Sequence, residues 1–247
     1  MTEPKKRAVR RRVGPGRPEG TSDLRERILD AAERKFGNLG FDGASLRSIA
    51  DEVGATQALV NYYFHSKQKL FEETYRRRAD LIGQDRLMRL QILQERGAPP
   101  TLPQLIEAFI AGIMALRATP GGMAFIRLQA RLNIETSRTA LRLRHDSYDR
   151  STHAYVQEFR RCAPHLTEMQ AYMRFVLMVG AYLYAVSDAN RLNELSNGAG
   201  TTADQPDLMA ETVAFLTGGF EATVPAASTT RKTTPVKARA TPRLMRS

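Results

Sequence analysis

Apolar residues recur at intervals of three and four along most of this chain, the period of helices with one buried face. No segment reads as a credible strand. The first stripe is Leu24, Ile28, Ala31, Ala32 and Phe36. It predicts a helix starting near Ser22 or Asp23, with Glu26 as capping-box partner, and ended by Gly37 to Gly40. Phe41 is placed to anchor the turn that follows. A second, shorter stripe, Leu46, Ile49, Ala50 and Val53, opens on Ser45, whose hydroxyl can take an orphan backbone N–H. Gly54 closes it, since glycine accepts a left-handed helix end. Thr56 can cap a third helix two residues later, with Leu59, Val60 and Phe64 toward the core. Two helices joined by so short a glycine turn form a helix-turn-helix. The other side of the third helix then carries Gln57, Ala58, Asn61 and Tyr63. Amides can bond base edges in a major groove, a methyl can touch thymine and a phenol can reach phosphate.

Ser66 can cap a fourth helix carrying Leu70, Phe71 and Tyr75, with Lys67 at its N-terminus, a natural place for a phosphate oxygen. From about Asp80 the pattern changes. Pro99-Pro100 and the capping-box pair Thr101/Gln104 introduce a stripe of Leu102, Leu105, Ile106, Phe109, Ile113 and Leu116, broken by Pro120-Gly121-Gly122. Helices are expected over roughly Met123 to Ile134 and from about Ser137 to Cys162, where Pro164 intervenes. Thr167 and Gln170 form another capping box, leading Tyr172, Phe175, Val176, Val179, Tyr182, Leu183 and Val186 down one stripe. A polar loop is expected at about 193–205, and a last helix carries Met209, Val213, Leu216 and Phe220. The fold class that follows is all-α: a three-helix head at 21–80 and a helical bundle at 81–223. The low-complexity ends, 1–20 and 224–247, lack apolar periodicity and are predicted to be disordered.

Charge changes this picture. The chain has 247 residues and a formal net charge of +11. Residues 1–20 carry seven Lys/Arg against Glu3 and Glu19, and residues 224–247 carry six with no acid. The excess over acids is five in one end and six in the other, so the body between them is formally neutral. Basic arms suit a polyanionic partner, although basic tails also serve solubility alone. Gly16-Arg17-Pro18 resembles the core of minor-groove arms, with Arg17 as the inserting residue. The longest apolar run, Val176 to Val186, falls short of the roughly 20 residues of a membrane span. The basic N-terminus has no apolar stretch behind it to make a secretory signal. A cytoplasmic protein without membrane contact is expected. Cys162 is the only cysteine, so no disulfide can form within the chain.

Three linked motifs, ILDAAERKFGNLGF, ASLRSIADEVGAT and LVNYYFHSKQKLF, carry a resemblance. Arg25 to Leu70 resembles the DNA-binding domain of the TetR family of bacterial transcriptional regulators. Tyr63 stands where the family's YxHF-type ending has histidine. The resemblance supports DNA contact by Ser45, Arg47 and Lys67. With the outward residues of the third helix, the candidate DNA contacts are Ser45, Arg47, Thr56, Gln57, Ala58, Asn61, Tyr62, Tyr63 and Lys67, plus Arg17 in the arm. The resemblance further implies a homodimer on a pseudo-palindromic operator, and a largely apolar small-molecule effector inside the bundle. Candidates for lining that cavity are Phe109, Ile113, Met123, Phe125, Tyr155, Phe159, Met178 and Tyr182, each of which can equally be plain core. The dimer interface is expected on the last two long helices, at Tyr172, Val176, Val179, Leu183, Val213, Leu216 and Phe220.

Enzymatic and metal chemistry find little support. His65, His145, His153 and His165 are scattered, and Cys162 with His165 makes only half a metal motif. No P-loop, GxSxG or HExxH occurs. No metal or cofactor is expected. The reading is a sequence-specific regulator, most simply a repressor released by its effector; the competing reading is an architectural nucleic-acid-binding protein acting through its basic ends.

Overall fold

A computed structural model describes residues 19–187, 191–200 and 207–223, and among these there are ten helices and no strand. The arm through residue 18, with Arg17, and the tail at 224–247 lie outside the described residues. The head is α1 (Glu19–Gly43), α2 (Leu46–Glu52) and α3 (Gln57–Phe64), followed by α4 (Lys67–Gln94). Ser45 caps α2 as expected: its Oγ accepts from the Ser48 amide at 3.0 Å, while Ser48 Oγ accepts from the Ser45 amide. Thr56 caps α3 and Ser66 caps α4 in the same way, at 3.2 and 3.1 Å. Gly54, at φ 68°, makes the turn between α2 and α3. Ile28, Ala32, Phe36, Ile49, Val60, Phe64 and Leu70 close one apolar core. Phe41 seals its edge, with Phe71 at 5.1 Å and Phe36 at 6.1 Å between ring centroids.

The first helix departs from the sequence reading at both ends. It begins at Glu19, so Ser22 and Asp23 lie inside it and not at its cap. At the other end Gly37 is a buried helical residue against the backbone of Ala124, and the break comes at Gly40, at φ 75° and ψ 178°. Gly37 therefore serves close helix crossing, a role that its spacing in the sequence does not distinguish from a stop signal.

The body is α5 (Leu102–Leu116), α6 (Gly122–Ile134), α7 (Arg138–Cys162), α8 (Glu168–Ser187), α9 (Arg191–Leu195) and α10 (Leu208–Glu221). The capping boxes expected at Thr101/Gln104 and Thr167/Gln170 both form. The short α9 occupies the start of the expected polar loop. The 28 residues of α4 pass unbroken through positions 80 and 81, where the change in pattern suggested a boundary. At about 1.5 Å per residue this helix extends roughly 40 Å from head into body.

Two further seams tie head to body. Where α1 crosses α6, Arg127 donates to Asn38 Oδ1 at 2.6 Å and Arg131 donates to the Asn38 carbonyl. The buried Glu33 carboxylate accepts from Arg78 Nε at 2.6 Å and faces Arg77 at 3.5 Å, while Arg78 also donates to the Pro120 carbonyl before α6. Pairing with the arginines offsets the cost of burying this carboxylate, and removing its partners would strand a charge.

The α8 helix is 20 residues long and, taken whole, meets the length and composition of a membrane span, which the run Val176 to Val186 alone does not. Its apolar residues divide between two sides. Phe175, Met178, Tyr182, Leu183 and Val186 are buried in the bundle, whereas Met173, Val176, Leu177 and Tyr184 face outward. On α10, Leu216 and Phe220 are buried, with the Phe220 ring stacked 4.5 Å from Phe159, and Phe215 stands 74% exposed. Arg174 of α8 donates to the closing carbonyls of α10 at Gly219, Phe220 and Ala222, which fixes the two helices side by side.

Candidate nucleic-acid interface and bundle pocket

The α3 helix presents one continuous exposed face: Gln57, Ala58, Asn61, Tyr62 and His65. Val60 and Phe64 are buried beneath it. Tyr63 turns the other way, half-buried against the core. The available phenol is that of Tyr62, 75% exposed with its ring edge-on to Tyr63 at 5.6 Å. Tyr63 thus supports the helix from behind, a correction to its placement on the outward side. The α3 C-cap residue His65, with φ 64°, is a non-glycine residue at positive φ, and periodicity gave no sign of it.

Around this face the framework is pinned. Arg27 donates to the Val53 carbonyl at 2.8 Å, where α2 ends. Arg34 and Lys35 of α1 reach Glu52 at 2.7 and 3.1 Å. Partial burial alone would raise the Glu52 pKa, but hydrogen bonds and attraction from those two cations outweigh it and hold the carboxyl below its ordinary value. Arg25 pairs with Glu73 and lies 5.1 Å over the Phe64 ring, binding α1 to α4 behind the presented face.

Ser45 and Arg47 stand exposed at the start of α2, and Thr56 at the start of α3. The Ser45 and Thr56 hydroxyls already accept capping bonds, which leaves their O–H hydrogens free to donate. Lys67 is half-buried: Nζ lies 4.5 Å over the Phe41 ring and 3.4 Å from the Asp42 carbonyl. These groups sit at the N-termini of α2, α3 and α4, where unpaired amides and the helix dipole favour an anion. The arrangement is a helix-turn-helix whose second helix presents an exposed polar face.

In the body, six of the eight residues expected to line a cavity pack into the core. Phe109, Ile113, Phe125, Tyr155 and Phe159 are buried, with Phe109 and Tyr155 edge-to-face at 5.1 Å, while Met178 lines an apolar groove of about 290 Å³ between α8 and α10. Met123 is half-buried against that core. Only Tyr182 reaches the polar pocket of the bundle, about 330 Å³ in volume, between α4, α6, α7 and α8. Arg86, Gln129, Asn133, Arg144, Tyr148, Asp149, Thr152, Phe175, Val176 and Val179 complete its lining. A larger cleft of about 860 Å³ opens at the end of the bundle around 97–103 and Cys162. Its buried polar group, Glu158, is already taken by Gln94 and Arg161, each at 2.7 Å.

Arg86 organises the smaller pocket. It is 2% exposed, and its Nε donates to the Phe109 carbonyl and one terminal nitrogen to the Tyr182 hydroxyl, each at 3.0 Å. Its guanidinium lies 3.7 Å from the Phe109 ring centroid and 5.2 Å from that of Tyr148. Gln129 Oε1 accepts from the Tyr148 hydroxyl at 2.5 Å and faces the Tyr75 hydroxyl at 3.5 Å. Burial raises the Tyr148 pKa far above that of a free phenol, so its proton stays in place as a donor.

Of the expected interface residues, Leu183, Leu216 and Phe220 turn into the monomer core. Tyr172, Val179 and Val213 are half-buried, with the Tyr172 hydroxyl 3.0 Å from His153 Nδ1, and Val176 alone stands well out, 68% exposed. The outward apolar surface consists of Val176 together with Met169, Met173, Leu177 and Tyr184 on α8 and Phe215 on α10.

Fold and reading face together define a bacterial-type helix-turn-helix protein with a helical bundle. The model of bacterial regulatory proteins of the tetR family matches residues 28–74, and that of the tetracyclin repressor-like C-terminal domain matches 107–219. The chain belongs to the TetR family. It is 26% identical over 91 residues to the HTH-type transcriptional regulator BetI of Vibrio vulnificus, a match covering 37% of this chain and 46% of that protein. It is 42% identical over 52 residues to BetI of Agrobacterium fabrum, covering 21% and 25%. The chain thus matches less than half the length of these curated relatives. Solved structures extend the likeness in fold. HlyIIR, a hemolysin II transcriptional regulator, superposes with a TM-score of 0.57 at 18% identity, over 79% of this chain and 98% of its own. A TetR-like transcriptional regulator from Rhodococcus sp. RHA1 gives 0.55 at 18% identity, over 80% and 93%.

Proposed function

We propose that the protein is a homodimeric transcriptional repressor that binds a pseudo-palindromic DNA operator and is released from it by a small molecule held in the bundle. The observation that carries this reading is the exposed α3 face, Gln57, Ala58, Asn61 and Tyr62, on a head fixed by three capped helix N-termini. Gln57 and Asn61 supply amides for base edges, Ala58 a methyl for thymine, and Tyr62, Ser45, Arg47 and Lys67 donors for phosphate. Arg17 and the other basic residues of the arm add non-specific grip.

One small head offers few base contacts, and a two-fold dimer doubles them. The outward apolar residues of α8 and α10 suit that association, because aromatic and Met side chains exposed together mark interaction surfaces more often than solvated ones. Ligand response follows from shared elements. Arg86 in the pocket lies on α4, which starts beside the reading helix, and Gln129 lies on α6, which α1 crosses at Gly37. A ligand preferring one α4–α6 arrangement therefore biases the spacing of the heads, by no more than its difference in affinity for the two arrangements.

The second reading, an architectural protein coating nucleic acid, is favoured by one observation: all of the formal net charge lies in the two ends. A footprint on DNA separates the two. A regulator protects a site of fixed length with two chains bound, whereas a coating protein protects DNA in proportion to its length.

A further inference from the structure

The pocket around Arg86 holds more hydrogen-bond donors than the described residues satisfy. Arg86 has five side-chain N–H groups and is 2% exposed, yet its guanidinium makes two hydrogen bonds, both to neutral oxygens. No carboxylate lies within ion-pair reach of it among the described residues. The Tyr182 hydroxyl spends a lone pair on Arg86, and its own proton meets no acceptor among the described residues. Gln129, 5% exposed, accepts phenol protons on Oε1 while its two amide protons go unmatched among the same residues. Buried donors are normally satisfied, and a buried guanidinium normally has a counter-charge.

We propose that this pocket binds a small organic monocarboxylate, whose anionic oxygens take up the free donors of Arg86, Gln129 and Tyr182. The proposal rests on the reading of the pocket as the effector site and names the class of effector. Charge selects a monoanion. Two arginines and one aspartate line the pocket, a formal surplus of one positive charge. Arg144 is half-buried and holds the Leu132 and Glu135 carbonyls through one terminal nitrogen, whereas Arg86 is buried, so Arg86 is the cation enclosed with the ligand. Asp149, half-buried in the same lining, opposes a second negative charge. Phe175 and Val179 form an apolar wall for the body of the acid, with the exposed Val176 at its rim. A volume of about 330 Å³ lies at the small end of ligand sites, which favours a compact body such as a single ring or a short chain.

Calorimetric titration of the full chain with benzoate, cyclohexanecarboxylate and hexanoate, their primary amides, and succinate tests the assignment. At least one monocarboxylate should bind about tenfold or more tightly than its own amide, since charge-assisted bonds to guanidinium are roughly twice as strong as neutral ones. Arg86→Met should abolish that preference. Asp149→Asn, at a half-exposed position that leaves the core intact, should narrow the gap between succinate and the monocarboxylates. Equal binding of acids and amides, acid preference surviving in Arg86→Met, or no binding by any acid overturns the proposal. DNA release is read separately. Acids that bind without releasing DNA refute the effector reading and leave the ligand class standing, whereas release by a neutral compound seated in the pocket does the reverse.

Discussion

Gly37→Ala is a demanding test of how the head is joined to the body. A Cβ at this position would stand 2.2 Å from the Ala124 carbonyl oxygen, 2.7 Å from its carbonyl carbon and 2.8 Å from its Cα. All three are backbone atoms of α6, so no rotamer change relieves the clash. Ordinary van der Waals separation starts at 3.4 Å, and the helices must part locally by about 1.2 Å. Overpacking of this kind costs about 1–3 kcal/mol. Alanine returns up to about 1 kcal/mol in helix propensity. With backbone as the obstacle the cost lies at the upper end, about 3 kcal/mol, so the net expectation is a loss of about 2 kcal/mol, or a Tm lower by roughly 4–8 °C for a chain of this length. Urea unfolding at fixed protein concentration reads it as a lower midpoint at unchanged m. Because the obstacle is backbone, Ala124→Gly should not rescue the variant. A Gly37→Ala protein as stable as wild type, or a full rescue by Ala124→Gly, would refute the close crossing of α1 and α6.

Other expectations follow from the same geometry. Phe215→Glu and Leu177→Glu place charges on the outward surface of α8 and α10, and should halve the mass in sedimentation while leaving helicity intact; a dimer persisting in both variants would move the interface elsewhere. Deleting residues 1–18 should flatten the slope of log K against log salt by about 0.9 for each phosphate that the arm neutralises. An unchanged slope would mean that this arm does not touch DNA. Burial would raise the pKa of Glu72, but Arg142 and Gln68 outweigh it and hold the carboxyl below its ordinary 4.5. Its contribution to stability is therefore complete above pH 4.5 and is lost as pH falls through the depressed folded value. Glu72→Gln should lower stability at neutral pH and soften the acid-induced loss, and matching acid profiles would contradict the pairing.

Much of this molecule was legible in its sequence because capping chemistry and periodicity are local. Ser45, Thr56, Ser66, Thr101 and Thr167 all cap where their spacing placed them, and α6 and α7 begin within a residue of the expected bounds. What depends on long-range packing was not legible. Nothing local tells a glycine that ends a helix from one that admits a neighbouring helix, and Gly37 is the second kind. A stripe also does not say which of its residues face a cavity. Phe109, Tyr155 and Phe159 became core, while the polar interruptions of two stripes became the pocket. Arg86 stands among Ala79, Ile82, Gly83, Leu90 and Leu93, and Gln129 among Phe125, Ile126 and Leu132. A charged or amide residue at an apolar position was the available signal. In α8 and α10 the apolar residues cover more than one side, so periodicity could not divide core from outer surface, and Leu183, Leu216 and Phe220 fell on the inner one.

The central claim is that α3 reads base sequence through its exposed face, in two copies. Selection of bound duplexes from a randomised DNA library, with wild type and Asn61→Ala in parallel, tests it most directly. Wild type should enrich an inverted repeat with half-sites one helical turn apart, or slightly more, about 34–36 Å centre to centre for a single turn. Asn61→Ala should bind more weakly by about 1–3 kcal/mol and lose preference at one position in each half-site, with the other positions unchanged. Enrichment of no sequence by the wild type, or identical preferences in the two proteins, would contradict it.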